Sequence, residues 1–398
     1  MDNFNEGSEM SSGKRYPSVF STLNVGQIEL HNRIVFPAYH VNYANTDGTV
    51  SDKLLDFYTA IADGGCGMIF TGTAVVSSDS VAFDRVMRID SDHCIPGLKK
   101  LFYKIEKRGS VPAVQLIHYG RQAVNAVTGC DLLAPSAIPC PVMSKFDTNY
   151  HVREMTLNDI ERVRGDFIEA AVRAADAGAK MVEVHVAHGY LLNEFLSPYS
   201  NYRTDAYGGS TERRARLIIE IIEGIRTRLG SRVAISVRVS GNEFVNGGLT
   251  PPDFKEIIPL FERAGMDLLN VSAGVYESME RIVPLAELGD TPHVNIASEL
   301  KEFATVPVCA VGSIFSLETA ESIISSGKAD LVAMGRAQVA DPEIVRKSAS
   351  GRETEIRKCT WCNECTFWTT GDPQMYCSVN PALTREKREG GELNEKIT

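Results

Sequence analysis

The 398-residue sequence contains no G-x-G-x-x-G run. A doubly wound sheet that binds a dinucleotide carries that run after an early strand, so this architecture loses its main support. Positive charge is also in deficit. Lys and Arg number 41 against 51 Asp and Glu, for a net charge of −10. That balance disfavours nucleic acid and an anionic membrane surface as partners. No apolar run approaches the ~18 residues of a membrane span. Residues 1–16 lack an apolar signal core, are polar and rich in Ser, Gly and Asn, and read as a disordered tail. Residues 386–398 read as a charged tail. The nine cysteines are odd in number and unevenly spread. This argues against a secreted disulfide framework and predicts a cytoplasmic protein.

What is present is a repeated alternation. Apolar, β-branched runs occur at 32–38 (NRIVFPA), 66–76 (CGMIFTGTAVV), 111–118 (VPAVQLIH) and 181–188 (MVEVHVAH). They continue at 233–240 (VAISVRVS), 266–274 (MDLLNVSAG), 307–314 (PVCAVGSI) and 329–337 (ADLVAMGRA). Near-continuous apolar runs are how buried parallel strands read. Helical patterns lie between most of them. Thr156 with Asp159 forms an N-terminal cap; Ile160, Val163, Phe167, Ala170 and Ala174 form one stripe; Gly178 ends it. Further helices are predicted over 217–229, from Thr250 through Phe261, and near 297–303, 317–325 and 342–348. Eight such strands predict an α/β fold, a (β/α)8 TIM barrel over 17–350. Residues 120–153 are too long for a simple loop and are expected to form a lid or small hairpin over the C-terminal face.

Barrel enzymes draw their reactive groups from the C-terminal ends of different strands. Those ends carry Tyr39 and His40, Thr73, Gln115 and His118, then His185, His188 and Tyr190, then Arg238, and finally Gly312, Gly335 and Arg336. Gln115 and Arg238 at interior positions need polar partners, which a flat heterocycle with several acceptors supplies. Gly312 and Gly335–Arg336 follow strands seven and eight, a common phosphate site in barrels. The pattern points to a phosphorylated aromatic cofactor. The His185/His188/Tyr190 cluster offers hydrogen-bond donors and a proton beside it.

Cys359-x-x-Cys362-x-x-Cys365 followed by Cys377 is a second signal. Three close cysteines and a remote fourth suit a [4Fe–4S] cluster better than zinc, which favours two separated C-x-x-C pairs. Residues 351–385 are therefore read as an iron–sulfur segment, its role structural or redox.

HNRIVFPA, the stretch HVAHGYLLNEFLSPYSNYRTDAYGGSTERRAR, AVGSI and MGRA resemble the Old Yellow Enzyme family of FMN-dependent oxidoreductases. The C-terminal cysteines resemble its iron–sulfur branch, which includes 2,4-dienoyl-CoA reductase and trimethylamine dehydrogenase. The resemblance implies FMN, with Gln115 and Arg238 at the flavin pyrimidine edge and the backbone near Ala38 and Thr73 along the ring. Gly312, Gly335 and Arg336 would hold the phosphate. His185 and His188 would bind the substrate's activating oxygen and Tyr190 would protonate the substrate, with Tyr39, His40 and His118 lining the substrate pocket. His40 stands where trimethylamine dehydrogenase carries its flavin-linking cysteine, which implies non-covalent FMN. His185 replaces that enzyme's tyrosine, which favours an oxygen-activated alkene over an amine.

The expected activity is reduction of an α,β-unsaturated carbonyl, carboxylate or thioester. The alternatives are an oxidative dehydrogenase or demethylase, and an electron-transfer subunit. Expected partners are the unsaturated small molecule, NAD(P)H or an electron-donor protein or subunit, and a second copy of the chain in a homo-oligomer.

Overall fold

The protein is described here by a computed structural model covering residues 15–146, 149–366 and 374–383. Most of the N-terminal tail and all of the charged tail at 386–398 lie outside the described residues. The barrel strands are β1 (Ile34–Phe36), β2 (Met68–Val75), β3 (Val111–Ile117), β4 (Met181–Val186), β5 (Ala234–Ser240), β6 (Leu268–Ser272), β7 (Val308–Val311) and β8 (Leu331–Ala333). Each pairs in parallel with its neighbour. Pairing of Val332 with Ile34 and of Val35 with Met68 closes the ring. The predicted (β/α)8 barrel is what forms. A two-residue strand, Met87–Arg88, extends β2 on one edge.

The outer layer consists of α1 (Asp52–Asp63), α2 (Ile95–Glu106), α3 (Leu157–Ala177), α4 (Thr211–Leu229), α5 (Phe254–Ala264), α6 (Val294–Lys301), α7 (Leu317–Ser325) and α8 (Ile344–Ala349). The predicted cap of α3 is present: the Thr156 hydroxyl accepts from the Asp159 N–H at 3.2 Å, and Asp159 accepts from the Thr156 N–H at 2.8 Å. Gly178 closes the helix in the left-handed conformation, φ 102°. Helix α5 buries Phe254, Ile257, Ile258 and Phe261 completely, each worth about 1.5–3 kcal/mol of hydrophobic stabilisation. The prediction missed the first six residues of α4, because TERRAR carries no apolar stripe; Ser210 nucleates that turn by accepting from the Arg213 N–H.

The hairpin Leu23–Val25/Ile28–Leu30 plugs the N-terminal end of the barrel, packing Val25 and Leu30 against interior Met68, Met181 and Leu268. At the opposite end residues 120–146 and 149–153 cross the face, as expected. The segment is not a hairpin: its strands Leu132–Ala134 and Val152–Glu154 run parallel. Its Cys140 and Met143 pack onto Tyr276 and Tyr190. No helix among the described residues is long and apolar enough to cross a membrane.

Candidate active site

Strand alternation builds the interior in layers. The lowest is apolar: Ala113, Met181, Ala234 and Leu268. Two residues further along come Gln115, Glu183, Ser236 and Asn270. Glu183 is wholly buried and accepts from the Gln115 amide at 2.7 Å, the Ser236 hydroxyl at 2.8 Å and the Asn270 amide at 2.7 Å. Two residues further still, His185 pairs in register with Arg238. Arg238 is 7% exposed, and its Nη1 is buried with no hydrogen-bond partner. Burial lowers its affinity for the proton, and the nearby Glu183 carboxylate works against that shift.

Above this layer lies a cavity of about 1240 Å³, solvent at its mouth included. Ala38, Tyr39, His40, Thr73, Gln115, His185, His188, Tyr190, Arg238, Gly312, Gly335 and Arg336 all line it. The sequence-predicted residues therefore converge, with one exception. His118 does not line this cavity. It shares the strand parity of Val114 and Leu116, which pack outward against the helices, and it lies 3.5 Å from Asp79. Its Nδ1 accepts from the Gly120 N–H at 3.1 Å.

The three rings of the central cluster meet edge to face, with centroids 5.1 Å apart for His185–His188 and 5.0 Å for His185–Tyr190. His185 Nδ1 accepts from the Ala187 N–H at 3.3 Å, so the neutral ring carries its proton on Nε2. His188 adopts φ 62°, fixed by its N–H bond to the Ser240 hydroxyl at 2.9 Å, and its Nε2 lies 2.8 Å from the Ser272 hydroxyl. Burial, reinforced by Arg238, holds both imidazoles well below their ordinary range. Both are neutral at pH 7. Burial pushes the Tyr190 phenol up to about 12, so it carries its proton.

His40 is similarly neutral, pushed down to about 4 by burial; its Nδ1 lies 3.1 Å from the Tyr119 hydroxyl, which also meets Thr73 at 3.1 Å. At the other end, Gly312 has φ 115°, and a Cβ there would sit 2.6 Å from His293 Nδ1. Arg336 donates to the Pro284 carbonyl at 2.8 Å, Asn363 at 2.6 Å and Ser313 at 2.7 Å.

The cysteine segment folds back over this end. Trp361 stacks on Phe315, with centroids 4.7 Å apart, and the Tyr39 hydroxyl donates to Cys365 Sγ at 3.0 Å. Cys365 itself lines the cavity. Burial pushes the Cys359 and Cys365 thiols up, and nearby cysteines, Cys362 and Cys377 for Cys359 and Cys359 and Cys377 for Cys365, add to that shift. Among the described residues, however, no three His, Cys, Asp or Glu side chains are gathered closely enough to hold a metal ion.

Residues 18–355 match the model of the NADH:flavin oxidoreductase / NADH oxidase family. The chain belongs to this family. It is 40% identical over 377 residues to an NADH oxidase of Thermoanaerobacter brockii, covering 93% of this chain and 57% of that one. It is 30% identical over 405 residues to a cinnamate reductase of Clostridium sporogenes, covering 96% and 60% respectively. A solved 2-naphthoyl-CoA reductase complex superposes with a TM-score of 0.87 at 29% identity, over 92% of this chain and 57% of that one. The chain thus spans under two thirds of the length of each of these three relatives.

Sequence reasoning missed Glu183 and Tyr276. Glu183 was legible, since a carboxylate two residues before His185 in an apolar strand must face the same interior. Tyr276 carries no such signal. It belongs to the short turn Tyr276–Ser278 after β6.

Proposed function

We propose that this flavin oxidoreductase is an ene-reductase that binds FMN without a covalent link. The observation that carries the reading is one cavity joining Arg238, a buried cation with an unpartnered nitrogen, to two neutral imidazoles and a protonated phenol. The residues fit the flavin. Arg238 suits the negative edge of a reduced isoalloxazine, and Gln115, whose amide nitrogen is committed to Glu183, offers its carbonyl to a ring N–H. Ala38 and Thr73 would flank the ring, and the turn around Gly312, Gly335 and Arg336 would take the phosphate.

Reduced FMN, when bound, supplies hydride to the β-carbon of an activated alkene. The side chains do the rest. His185 and His188 donate hydrogen bonds to the activating oxygen of a carbonyl, carboxylate or thioester, where charge grows. Being neutral, they polarise it without first protonating it. Tyr190 then delivers its proton to the carbon next to the activating group. The names of the cinnamate and naphthoyl-CoA reductases support an unsaturated acid or thioester as the substrate class. NAD(P)H is the proposed reductant. A [4Fe–4S] cluster on Cys359, Cys362, Cys365 and Cys377 is proposed from their donor chemistry and their spacing in the sequence, not from the side-chain positions.

Photoreduced enzyme is expected to be reoxidised by cinnamate or 2-cyclohexen-1-one. Tyr190→Phe should slow that step by about 10²-fold or more, leaving flavin reduction unchanged. Failure of every alkene, with flavin reduction by a secondary amine instead, would replace this reading with the oxidative one.

A further inference from the structure

Tyr190 has a second phenol against it. The Tyr276 hydroxyl lies 3.1 Å from the Tyr190 hydroxyl, with ring centroids 5.7 Å apart and the rings nearly perpendicular. Tyr276 is 6% exposed and lines the same cavity. Its position is fixed from both sides in sequence. The Ser278 hydroxyl accepts from the Val275 N–H at 3.0 Å and donates to the Glu243 carbonyl at 2.7 Å. Glu277 accepts from Arg121 Nη2 at 3.1 Å. Arg121 is 2% exposed, and its Nη1 donates to the carbonyls of Ile138 and Pro139 at 3.4 and 3.5 Å. One buried guanidinium thus ties the crossing segment to the turn that carries Tyr276.

We infer that Tyr276 donates a hydrogen bond to the Tyr190 oxygen and stabilises it as Tyr190 gives its proton to the substrate. The inference rests on the ene-reduction reading and deepens it. In the step, the Tyr190 O–H bond breaks as a C–H bond forms next to the activating group. The O–H electron pair stays on the Tyr190 oxygen. The hydride that completes the reduction comes from reduced flavin, and water restores the Tyr190 proton afterwards. A buried oxygen left charged without a donor is strongly disfavoured; Tyr276 is placed to supply that donor. With Tyr276 donating, the Tyr190 proton is free to turn toward the cavity.

The surroundings support this assignment of roles. Tyr190 faces His185, His188, Tyr119 and Arg238; Tyr276 faces Tyr190, Tyr119 and Cys140. Burial raises both phenols. The bond from Tyr276 and the charge of Arg238 pull Tyr190 back down, whereas Tyr190 pushes Tyr276 further up. The Arg238 charge beside Tyr190 thus favours Tyr190 as the phenol that gives up its proton.

The test is anaerobic stopped-flow mixing of photoreduced holoenzyme with 2-cyclohexen-1-one, for wild type, Tyr190→Phe, Tyr276→Phe and the double variant, in H2O and D2O. Tyr276→Phe is expected to slow flavin reoxidation about tenfold or more, the strength of a hydrogen bond to a charged group. It should enlarge the solvent isotope effect and leave flavin reduction unchanged. The double variant should be no slower than Tyr190→Phe, because Tyr276 acts through Tyr190. Additive losses, or equal slowing of both half-reactions, would overturn the inference. So would full-speed reoxidation in Tyr276→Phe when Tyr190→Phe is slow. If Tyr190→Phe is itself as fast as wild type, the ene-reduction reading falls first.

Discussion

Arg238 shows how a single residue carries both halves of the site. Its guanidinium lies near the Glu183 carboxylate, which three neutral donors hold in place, and one of its nitrogens remains unpartnered. Arg238→Gln is expected to weaken FMN binding by about tenfold or more, the cost of a lost charge-assisted hydrogen bond. Fluorescence titration of apo-protein with FMN measures this, and Tyr190→Phe should leave the affinity unchanged. Unchanged affinity in Arg238→Gln would remove arginine from the flavin edge. At this scale the sequence was legible wherever strand parity governs. Arg238, Gln115 and His185 were found as C-terminal strand ends, and alternation in a buried strand is why they face inward together. The same parity, applied to Val114, Leu116 and His118, turns His118 outward, and the strand-end argument had overlooked it. Tyr276 could not be found this way, since a turn has no period and its partner lies 86 positions away.

At the scale of elements, barrel strands were legible because each is an apolar run between capped helices. The C-terminal segment was legible only as a spacing. What the spacing did not reveal is that the segment is part of the cavity wall. Trp361 on Phe315, Asn363 on Arg336 and Cys365 on Tyr39 join residues up to 326 positions apart. The crossing segment was expected as a lid, yet its parallel strands follow from the long connection between them and not from any turn motif. If the cysteine segment holds the proposed cluster, anaerobically purified protein contains about four iron and four sulfide per chain. Cys359→Ser should lose most of that iron while keeping FMN. Cys130→Ser, at an exposed cysteine outside the segment, should keep both. Equal iron in all three proteins, or none in any, would refute the cluster.

For the whole molecule, the same burial that makes the site sets its pH range. His40 and His293 are pushed down to about 4, and His185 and His188 well below their ordinary range, all chiefly by burial. In the unfolded chain each titrates near 6.5. Their folded values are depressed, so stability from keeping them neutral is full above about pH 6.5 and is lost as pH falls, by up to about 1.4 kcal/mol per histidine per pH unit. Glu194 acts in the opposite sense. Burial pushes it up to about 8, and one of its carboxyl oxygens has no hydrogen-bond partner. The folded state keeps its proton where the unfolded state has lost it, so stability falls as pH rises from about 4.5 to 8 and is flat beyond. His31, also pushed down by burial, adds to the loss on the acid side, and Glu243, also pushed up by burial, adds to the loss on the alkaline side. Below 6.5 the histidines outweigh these two carboxyls, and above it the carboxyls dominate. Thermal stability should therefore peak near pH 6.5, falling steeply on the acid side and gently on the alkaline side. Glu194→Gln, which keeps the acceptor for the Arg121 N–H, should flatten the alkaline slope and leave the acid slope intact. Melting curves from pH 4.5 to 9 read both effects. An unchanged alkaline slope in Glu194→Gln would mean that Glu194 is ionised in the folded protein, with Arg121 as its counter-charge.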